Sequence, residues 1–360
     1  MKMKSLFSLM LASLLAVSSL TACGGQSETS SEAESSVVSE EASAESIAES
    51  SAETTGEITF TDHAGRTVTL DAPAEKVVSV YYLSTSLLAA IGAEDKLVGI
   101  EMKAETRPLY TEAFPELLEL PAVGSGKGVN VEETAALEPD LVVLPMKLKD
   151  SVEQFEALDI PVAVIDPETM PTFLETVEML GVATGCEEKA DQLVSYYNEV
   201  MEDVSARTAD LEDKPTVYIA GSDMLRTAGS GMYQNDLIEM AGGVNVAAGI
   251  DSDQWADVTA EELVGWNPDK IFLVSYSDYT RDEFLSDERF ASLSAVQDAD
   301  NSVVIFPGET EAWDYPTASS VLGILWLANQ LHPDVVTAEE VETAASEFYQ
   351  TYFGIEYAAE

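Results

Sequence analysis

The chain has 360 residues, of which 66 are Asp or Glu and only 17 are Lys or Arg, so its formal net charge is −49 at pH 7. Such an acidic protein is repelled by nucleic acids and by anionic membrane surfaces, which disfavours both as partners. The length allows a sizeable core and favours two lobes over one.

The first residues are typical of an export signal. Lys2 and Lys4 precede an apolar run at 6–17, which leads to the tetrapeptide Leu-Thr-Ala-Cys that ends at Cys23. This order predicts a secretory signal peptide over residues 1–22. The cysteine after Leu-Thr-Ala resembles a bacterial lipobox and predicts lipidation of Cys23. An ordinary signal peptide followed by a chance cysteine is the alternative.

Residues 23–57 are predicted to form a disordered, acidic tether. After Cys23 this segment contains nine Glu, no Lys or Arg and no aromatic residue, so it cannot bury enough apolar surface to fold. Its flexible length spans roughly 30 Å. No later run is long and apolar enough to cross a bilayer. We therefore expect a protein held on the extracytoplasmic face of the cell membrane by its lipid alone.

The first folded half alternates short β-rich runs with helical segments, which predicts a parallel sheet covered by helices. The predicted elements are a hairpin at 57–70, strands at 77–82, 96–100, 140–145 and 161–165, and helices at 84–91, 132–137 and 151–158.

A long helix is predicted next, at 187–210, because apolar residues recur there every three or four positions. The α/β pattern then restarts, with strands at 216–220, 270–275 and 302–306 and helices at 235–240, 260–265, 317–331 and 338–352. We predict an N-terminal α/β lobe at 58–170, linking helices at 171–213 and a C-terminal α/β lobe at 214–360.

The two halves share one sequence motif, which occupies residues 130–140 in the first and 258–269 in the second. In each copy, two glutamates open a short helix, Pro follows seven residues after the first glutamate, and Asp precedes a buried strand. Acidic residues at a helix start are favoured by the helix dipole. Because the spacing is also kept, we interpret the lobes as related.

Five segments then resemble one known family in the order in which that family has them. They are TDHAGRTV at 61–68, PAEKVV at 73–78, LAAIGAEDKLVGI at 88–100, DLIEMAGGVN at 236–245 and LGILWLA at 322–328. The chain resembles the substrate-binding lipoproteins of ABC importers for iron-siderophore, haem and cobalamin, the class III periplasmic binding proteins. The resemblance implies two α/β lobes with parallel-type sheets joined by one long α-helix, and no catalysis. It also implies that Glu132 and Glu261 dock onto a dimeric permease, with the binding protein acting as a monomer.

The ligand cleft is expected beyond the carboxyl ends of the parallel strands. The loops there hold six of the 17 Lys and Arg residues, which favours an anionic ligand. The cations are Lys103, Arg107, Lys127, Lys147, Lys149 and Arg226. The predicted ligand contacts are Tyr81, Tyr82, Lys127, Met146, Lys147, Arg226, Tyr276, Trp313 and Tyr315. For Tyr81 and Trp313, core packing is an equal alternative.

These residues predict a binding protein that captures an iron chelate, with cobalamin and haem as alternatives. Haem would need an axial ligand, for which Tyr81 or Tyr276 is a candidate. A bare metal ion is disfavoured because only His63 and His332 are present, and we expect no protein-bound metal or resident cofactor. A lipid-anchored enzyme and an adhesin are the competing classes, and the chain lacks a Gly-x-Ser-x-Gly nucleophile elbow.

Overall fold

Residues 56–357 are the part of the chain that this computed structural model describes. The predicted signal peptide, Cys23 and almost all of the predicted tether lie outside these residues. Within the described part, no helix combines the length and the apolar character needed to cross a membrane.

The N-terminal half begins with the predicted hairpin and continues with a sheet and its helices. Its strands are β1 (Ile58–Thr61), β2 (Thr67–Leu70), β3 (Val77–Ser79), β4 (Leu97–Glu101), β5 (Ala122–Ser125), β6 (Gly128–Val129), β7 (Leu141–Pro145) and β8 (Val162–Ile165). Its helices are α1 (Tyr82–Ala90), α2 (Pro108–Ala113), α3 (Val131–Ala135) and α4 (Val152–Glu156).

Helices α5 (Met170–Thr184) and α6 (Glu187–Thr208) connect the two halves. The strands of the C-terminal half are β9 (Thr216–Ala220), β10 (Arg226–Thr227), β11 (Val244–Asn245), β12 (Ala256–Asp257), β13 (Lys270–Leu273) and β14 (Val303–Ile305). Its helices are α7 (Tyr233–Met240), α8 (Ala260–Trp266), α9 (Arg281–Ser286), α10 (Ser294–Gln297), α11 (Ala299–Ser302), α12 (Val321–Leu331) and α13 (Ala338–Tyr352).

Each half is built on its own sheet. The N-terminal sheet has the strand order β6-β5-β4-β3-β7-β8, and the C-terminal sheet has the order β11-β9-β13-β14. Every neighbouring pair in these two sheets is parallel except β5–β6. Strand β7 is buried along its whole length because helices cover both faces of the sheet. Both sheets therefore have the parallel character predicted from the sequence.

The connection between the halves is helical, and its second helix, α6, is the long one. Helix α6 has 22 residues and lies directly against α5. The two helices approach closely at Gly181, where an added Cβ would come within 2.5 Å of the Ala190 Cβ. A larger residue at position 181 would therefore push α5 and α6 apart.

The structure strengthens the interpretation that the lobes are related. Asp140 accepts hydrogen bonds from the backbone N–H groups of Glu75 and Lys76, just before β3. In the other lobe, Asp269 accepts from the backbone N–H of Thr216, at the start of β9. In addition, the residue before the shared proline has a positive φ in both copies of the motif, 51° at Glu138 and 44° at Asn267. The shared motif therefore has the same role in both lobes: its Asp accepts backbone N–H groups at or just before the start of a strand.

Candidate functional site

Four tyrosines meet where the carboxyl ends of the two sheets face each other. Tyr81 and Tyr82 follow β3 of the N-terminal lobe, whereas Tyr276 and Tyr315 follow β13 and β14 of the C-terminal lobe. The Tyr81 and Tyr315 hydroxyl oxygens are 3.4 Å apart. The Tyr82 ring stacks on the Tyr315 ring with 5.5 Å between centroids, and the Tyr276 ring meets Tyr315 edge-on at 5.7 Å. The structure therefore brings together four of the nine predicted ligand contacts.

Arg107 completes this cluster from the N-terminal lobe. Its guanidinium carbon lies 4.0 Å from the centre of the Tyr82 ring, which is a cation–π contact. Its Nε is buried and has no hydrogen-bond partner within residues 56–357. The sequence placed Arg107 among the loop cations but not among the ligand contacts, because nothing in the chain order indicates that it reaches Tyr82.

The tyrosine hydroxyls differ in what they are bonded to. The Tyr276 hydroxyl donates to Asp314 Oδ2 at 2.9 Å, so it is already occupied. The Tyr81–Tyr315 contact is longer, and one of these two hydroxyl protons can turn to a ligand. Burial, followed by the neighbouring Tyr315, raises the pKa of Tyr81, so its hydroxyl remains a proton donor at neutral pH.

Carboxyl groups also border the cleft, and they are not among the contacts predicted from the sequence. Asp166 and Glu168 follow β8, and Asp253 approaches them from the C-terminal lobe. Burial raises the pKa of Asp166 and of Glu168, while Lys147 acts in the opposite direction on both. Because β8 was predicted from sequence, the position of Asp166 directly after it was the available signal. The cleft is therefore mixed in charge rather than uniformly basic.

Trp313 is a core residue. The sequence left open whether its side chain lies in the cleft or in the core, and the structure places it in the core. Its side chain is 2% exposed, and its Nε1–H donates to the Tyr349 hydroxyl at 3.0 Å. An added Cβ at Gly323 of α12 would come 2.2 Å from the Trp313 carbonyl oxygen, so the surrounding packing is tight. The prediction that the Trp313 side chain lines the cleft is wrong.

Two predicted cations have exposed positions. Arg226 lies on β10, is exposed, and places Nε 3.7 Å from Asp257 Oδ1. Lys127 is exposed in the turn between β5 and β6. That turn lies against the cleft, because an added Cβ at Gly126 would come 3.4 Å from the Tyr81 ring. After β7, Met146 is half-buried and packs against a cluster of buried apolar residues in the N-terminal lobe. Lys147, the next residue, is exposed.

The two histidines have local partners. Nδ1 of His63 accepts the backbone N–H of Asp166 at 2.7 Å, and Nε2 of His332 lies 3.2 Å from the Gly242 carbonyl oxygen. Within the described residues, no group of three or more His, Cys, Asp or Glu side chains is arranged to hold a metal ion.

Glu132 and Glu261 occupy the same position in their helices. Each is the second residue of a short helix, α3 or α8, and each is exposed. The neighbouring Glu262 instead closes a capping box with Thr259, which lowers its pKa. A groove of about 690 Å³, lined by residues of β5, β6 and α3, opens beside Glu132.

The chain matches the family model described as periplasmic binding protein over residues 77–304. It is 25% identical over 323 residues to the molybdate-binding protein MolA of Haemophilus influenzae, covering 82% of this chain and 91% of that protein. It is 30% identical over 223 residues to the ABC transporter substrate-binding lipoprotein YvrC of Bacillus subtilis, covering 59% of this chain and 68% of that one.

The fold agrees with these matches. The solved structure of MolA with bound molybdate superposes with a TM-score of 0.75 at 24% identity, covering 84% of this chain and all of that one. These relatives are extracytoplasmic binding components of ABC importers and not enzymes. The chain belongs to the periplasmic binding protein family, as the class III substrate-binding protein of an ABC importer.

Proposed function

We propose that this protein binds an anionic metal complex between its lobes and delivers it to the permease of its importer. The first candidate is a ferric chelate. The observation that carries the proposal is the cluster of four tyrosines with Arg107 across the lobe interface. Flat aromatic faces suit the planar groups of a chelate, and Arg107 supplies positive charge beside them.

A small oxyanion is the second candidate, favoured by the close approach of the rings. Tyr81 and Tyr315 nearly touch, so a bulky chelate requires these two side chains to separate. A tetrahedral anion needs less room, and two hydroxyls and a guanidinium are suitable donors for it. MolA is a molybdate-binding protein, which supports this candidate. Cobalamin and haem remain alternatives, and a vitamin B12-binding protein of Yersinia pestis is 28% identical over 211 residues.

A fluorescence panel tests which ligand class is bound. The panel follows tryptophan fluorescence, and of the four tryptophans Trp255 is expected to respond, because its ring lies against Gly221, directly after β9, where an added Cβ would come 2.7 Å from it. The panel contains a ferric catecholate, a ferric hydroxamate, haem, cobalamin and sodium molybdate. We expect saturable quenching at one equivalent by a ferric chelate or by molybdate. Saturation by cobalamin alone would refute the anionic ligand.

We further propose that Glu132 and Glu261 contact the two permease subunits. Their equivalent and exposed positions, one per lobe, present two matching charges to a two-fold partner. Exposed charges of this kind contribute to steering and register more than to the stability of the binding protein itself. The anchor for this arrangement is the proposed lipid on Cys23, which holds the protein at the membrane surface.

Transport into membrane vesicles tests this docking. The double variant Glu132→Gln/Glu261→Gln should abolish uptake while ligand affinity and melting temperature stay nearly unchanged. The matched control is Glu133→Gln/Glu262→Gln, which removes the same charge from the adjacent positions and retains a capping side chain on α8. Equal uptake by both double variants would refute the docking assignment.

A further inference from the structure

Asp314 is a fully buried carboxyl group directly behind the tyrosine cluster. Its Oδ2 accepts the Tyr276 hydroxyl, whereas its Oδ1 has no hydrogen-bond partner within the described residues. Gln234 of α7 donates to the backbone carbonyl of Asp314 at 2.9 Å and leaves its own Oε1 without a partner in the same region. A half-satisfied buried carboxyl is costly, and it calls for an explanation other than stability.

The connection from Asp314 to the cleft is short. Tyr276 donates its hydroxyl to Asp314 and presents its ring edge-on to Tyr315. Tyr315 in turn contacts the Tyr81 hydroxyl and stacks on Tyr82. A change at Asp314 therefore reaches the proposed ligand-contacting rings through its hydrogen bond with Tyr276 and through its chain neighbour Tyr315.

We propose that Asp314 is a positioning residue of the ligand cleft, which holds the Tyr276 hydroxyl away from the ligand and couples ligand affinity to pH through its own protonation. This inference rests on the proposed function of the cleft. When Asp314 is ionised, Tyr276 is fixed as a donor to it, and the cleft wall carries a buried negative charge. When Asp314 is protonated, that charge disappears and the Tyr276 hydroxyl is held less firmly.

Among residues 56–357, no cation compensates the charge of Asp314. Tyr276 and Tyr315 are the titratable groups next to it, and Glu168 of the opposite lobe acts electrostatically on both of them. Glu311 lies in the same segment and is bonded to Ser86 and Ser319 instead. Gln234, which approaches from α7, is neutral. Burial accordingly raises the pKa of Asp314 to about 7, although the Tyr276 hydrogen bond opposes the shift.

The sign of the coupling follows from linkage. An anion bound near Tyr276 and Tyr315 repels ionised Asp314, so binding favours the protonated form and takes up a proton. The affinity for an anionic ligand should therefore rise as pH falls through neutrality, by up to about tenfold per pH unit, the limit for one proton taken up per ligand. A neutral ligand should show little of this dependence.

The first arm of the test uses the ligand-free protein. Carbon-13 NMR of labelled tyrosine Cζ and aspartate carboxyl carbons, followed from pH 5.5 to 8.5, should show one concerted step for Tyr276 and Asp314. The isosteric variant Asp314→Asn should abolish the tyrosine step. Tyr276→Phe should move the Asp314 midpoint upward, because the hydrogen bond that favours the ionised form is lost. A Tyr276 step that persists in Asp314→Asn, or no step at all, would overturn the proposal.

The second arm measures affinity for sodium molybdate and for a ferric tris-catecholate between pH 6.5 and 8.5. The wild type should bind more tightly at the lower pH, and Asp314→Asn should give a flat profile. A flat wild-type profile for a bound anion would overturn the coupling. If neither probe binds while the tyrosine step is present, the positioning role of Asp314 is supported and the proposed ligand class is contradicted.

Discussion

At the scale of single residues, two arginines predicted as cleft cations have different surroundings. Arg107 lies over Tyr82 and keeps a buried Nε without a partner in the described chain, so it has donors to offer a ligand. Arg226 is exposed and faces Asp257, so its charge is already compensated and largely screened by water. Residue type alone does not separate these two roles.

The first prediction compares the two arginines directly. Arg107→Ala should weaken binding of an anionic ligand by about 1.5–3 kcal/mol, the usual contribution of a hydrogen bond to a charged group. Arg226→Ala, the matched control, should change the affinity little. Calorimetric titration of both variants with the ligand found by the panel measures the difference. Equal losses would mean that overall charge, and not contact with Arg107, attracts the ligand.

One physical reason explains why the sequence did not indicate the position of Trp313 or the contact between Arg107 and Tyr82. Trp313 lies in a loop, where no apolar periodicity indicates whether a ring faces the core or the cleft. The partner that buries it, Tyr349, is on α13 and lies 36 residues away. The Arg107–Tyr82 contact likewise joins separate segments, the first residue of α1 and the residue before α2. Tyr81, Tyr82 and Tyr276, in contrast, were predictable because each lies within three residues of the end of a recognisable strand. Tyr315 shares the loop of Trp313, and only the structure separates the roles of these two residues.

At the scale of elements, the long helices and the central strands agree closely with their sequence patterns, whereas the short helices α2, α9, α10 and α11 were not predicted. Strand β9 and helix α13 have the predicted limits, and α6 ends two residues earlier than predicted. The short strands β5, β6 and β10 to β12 were not predicted. They have two to four residues each, which is too short for an alternating pattern to emerge, and tertiary pairing defines them.

Buried hydrogen bonds join the lobes at the base of the cleft. Ser86 of α1 donates to Glu311 Oε1 at 2.5 Å, and the Ser319 hydroxyl donates to Glu311 Oε2 at 2.6 Å. The Tyr197 hydroxyl of α6 donates to the Ala318 carbonyl oxygen at 2.9 Å. Opening the lobes at this base would take the Ser86 donor away from the buried Glu311 carboxyl, which costs about 1–3 kcal/mol, whereas Ser319 lies in the same lobe as Glu311 and would stay bonded to it.

We therefore predict that the lobes move little when ligand binds. Small-angle scattering profiles with and without ligand should nearly coincide, because α5, α6 and the Glu311 contacts hold the relative position of the lobes. Ser86→Ala should lower the free energy of unfolding by about 1–3 kcal/mol, since Glu311 Oε1 loses its donor. Marked compaction of the wild type on binding would contradict this rigid arrangement.

At the scale of the whole molecule, charge dominates. The net charge of −49 destabilises the compact state through self-repulsion, and several buried carboxyls add to this effect. Burial raises the pKa of Glu101, Asp236, Glu311 and Asp314. The folded state therefore binds more protons than the unfolded state between the ordinary carboxyl pKa near 4 and neutrality, and stability rises as pH falls across this range.

This sign gives a third prediction. The melting temperature should be higher at pH 5 than at pH 8, and added salt should reduce the difference because it screens the self-repulsion. Exposed capping residues such as Glu340, whose pKa is lowered, act in the opposite direction but are screened by solvent. Scanning calorimetry in matched buffers measures the trend. A melting temperature that falls on going from pH 8 to pH 5 would contradict it.

The central claim is that ligand binds among the tyrosines between the lobes. Calorimetric titration with the ligand identified by the panel tests it, using Tyr81→Phe/Tyr315→Phe beside the control Tyr196→Phe/Tyr352→Phe. The control removes two hydroxyls from the α6–α13 surface, where Tyr196 and Tyr352 lie 6.3 Å apart by ring centroids. We predict one ligand per wild-type or control protein and at least about tenfold weaker binding by the cleft variant, equivalent to about 1.4 kcal/mol. Unchanged affinity in the cleft variant would contradict the account.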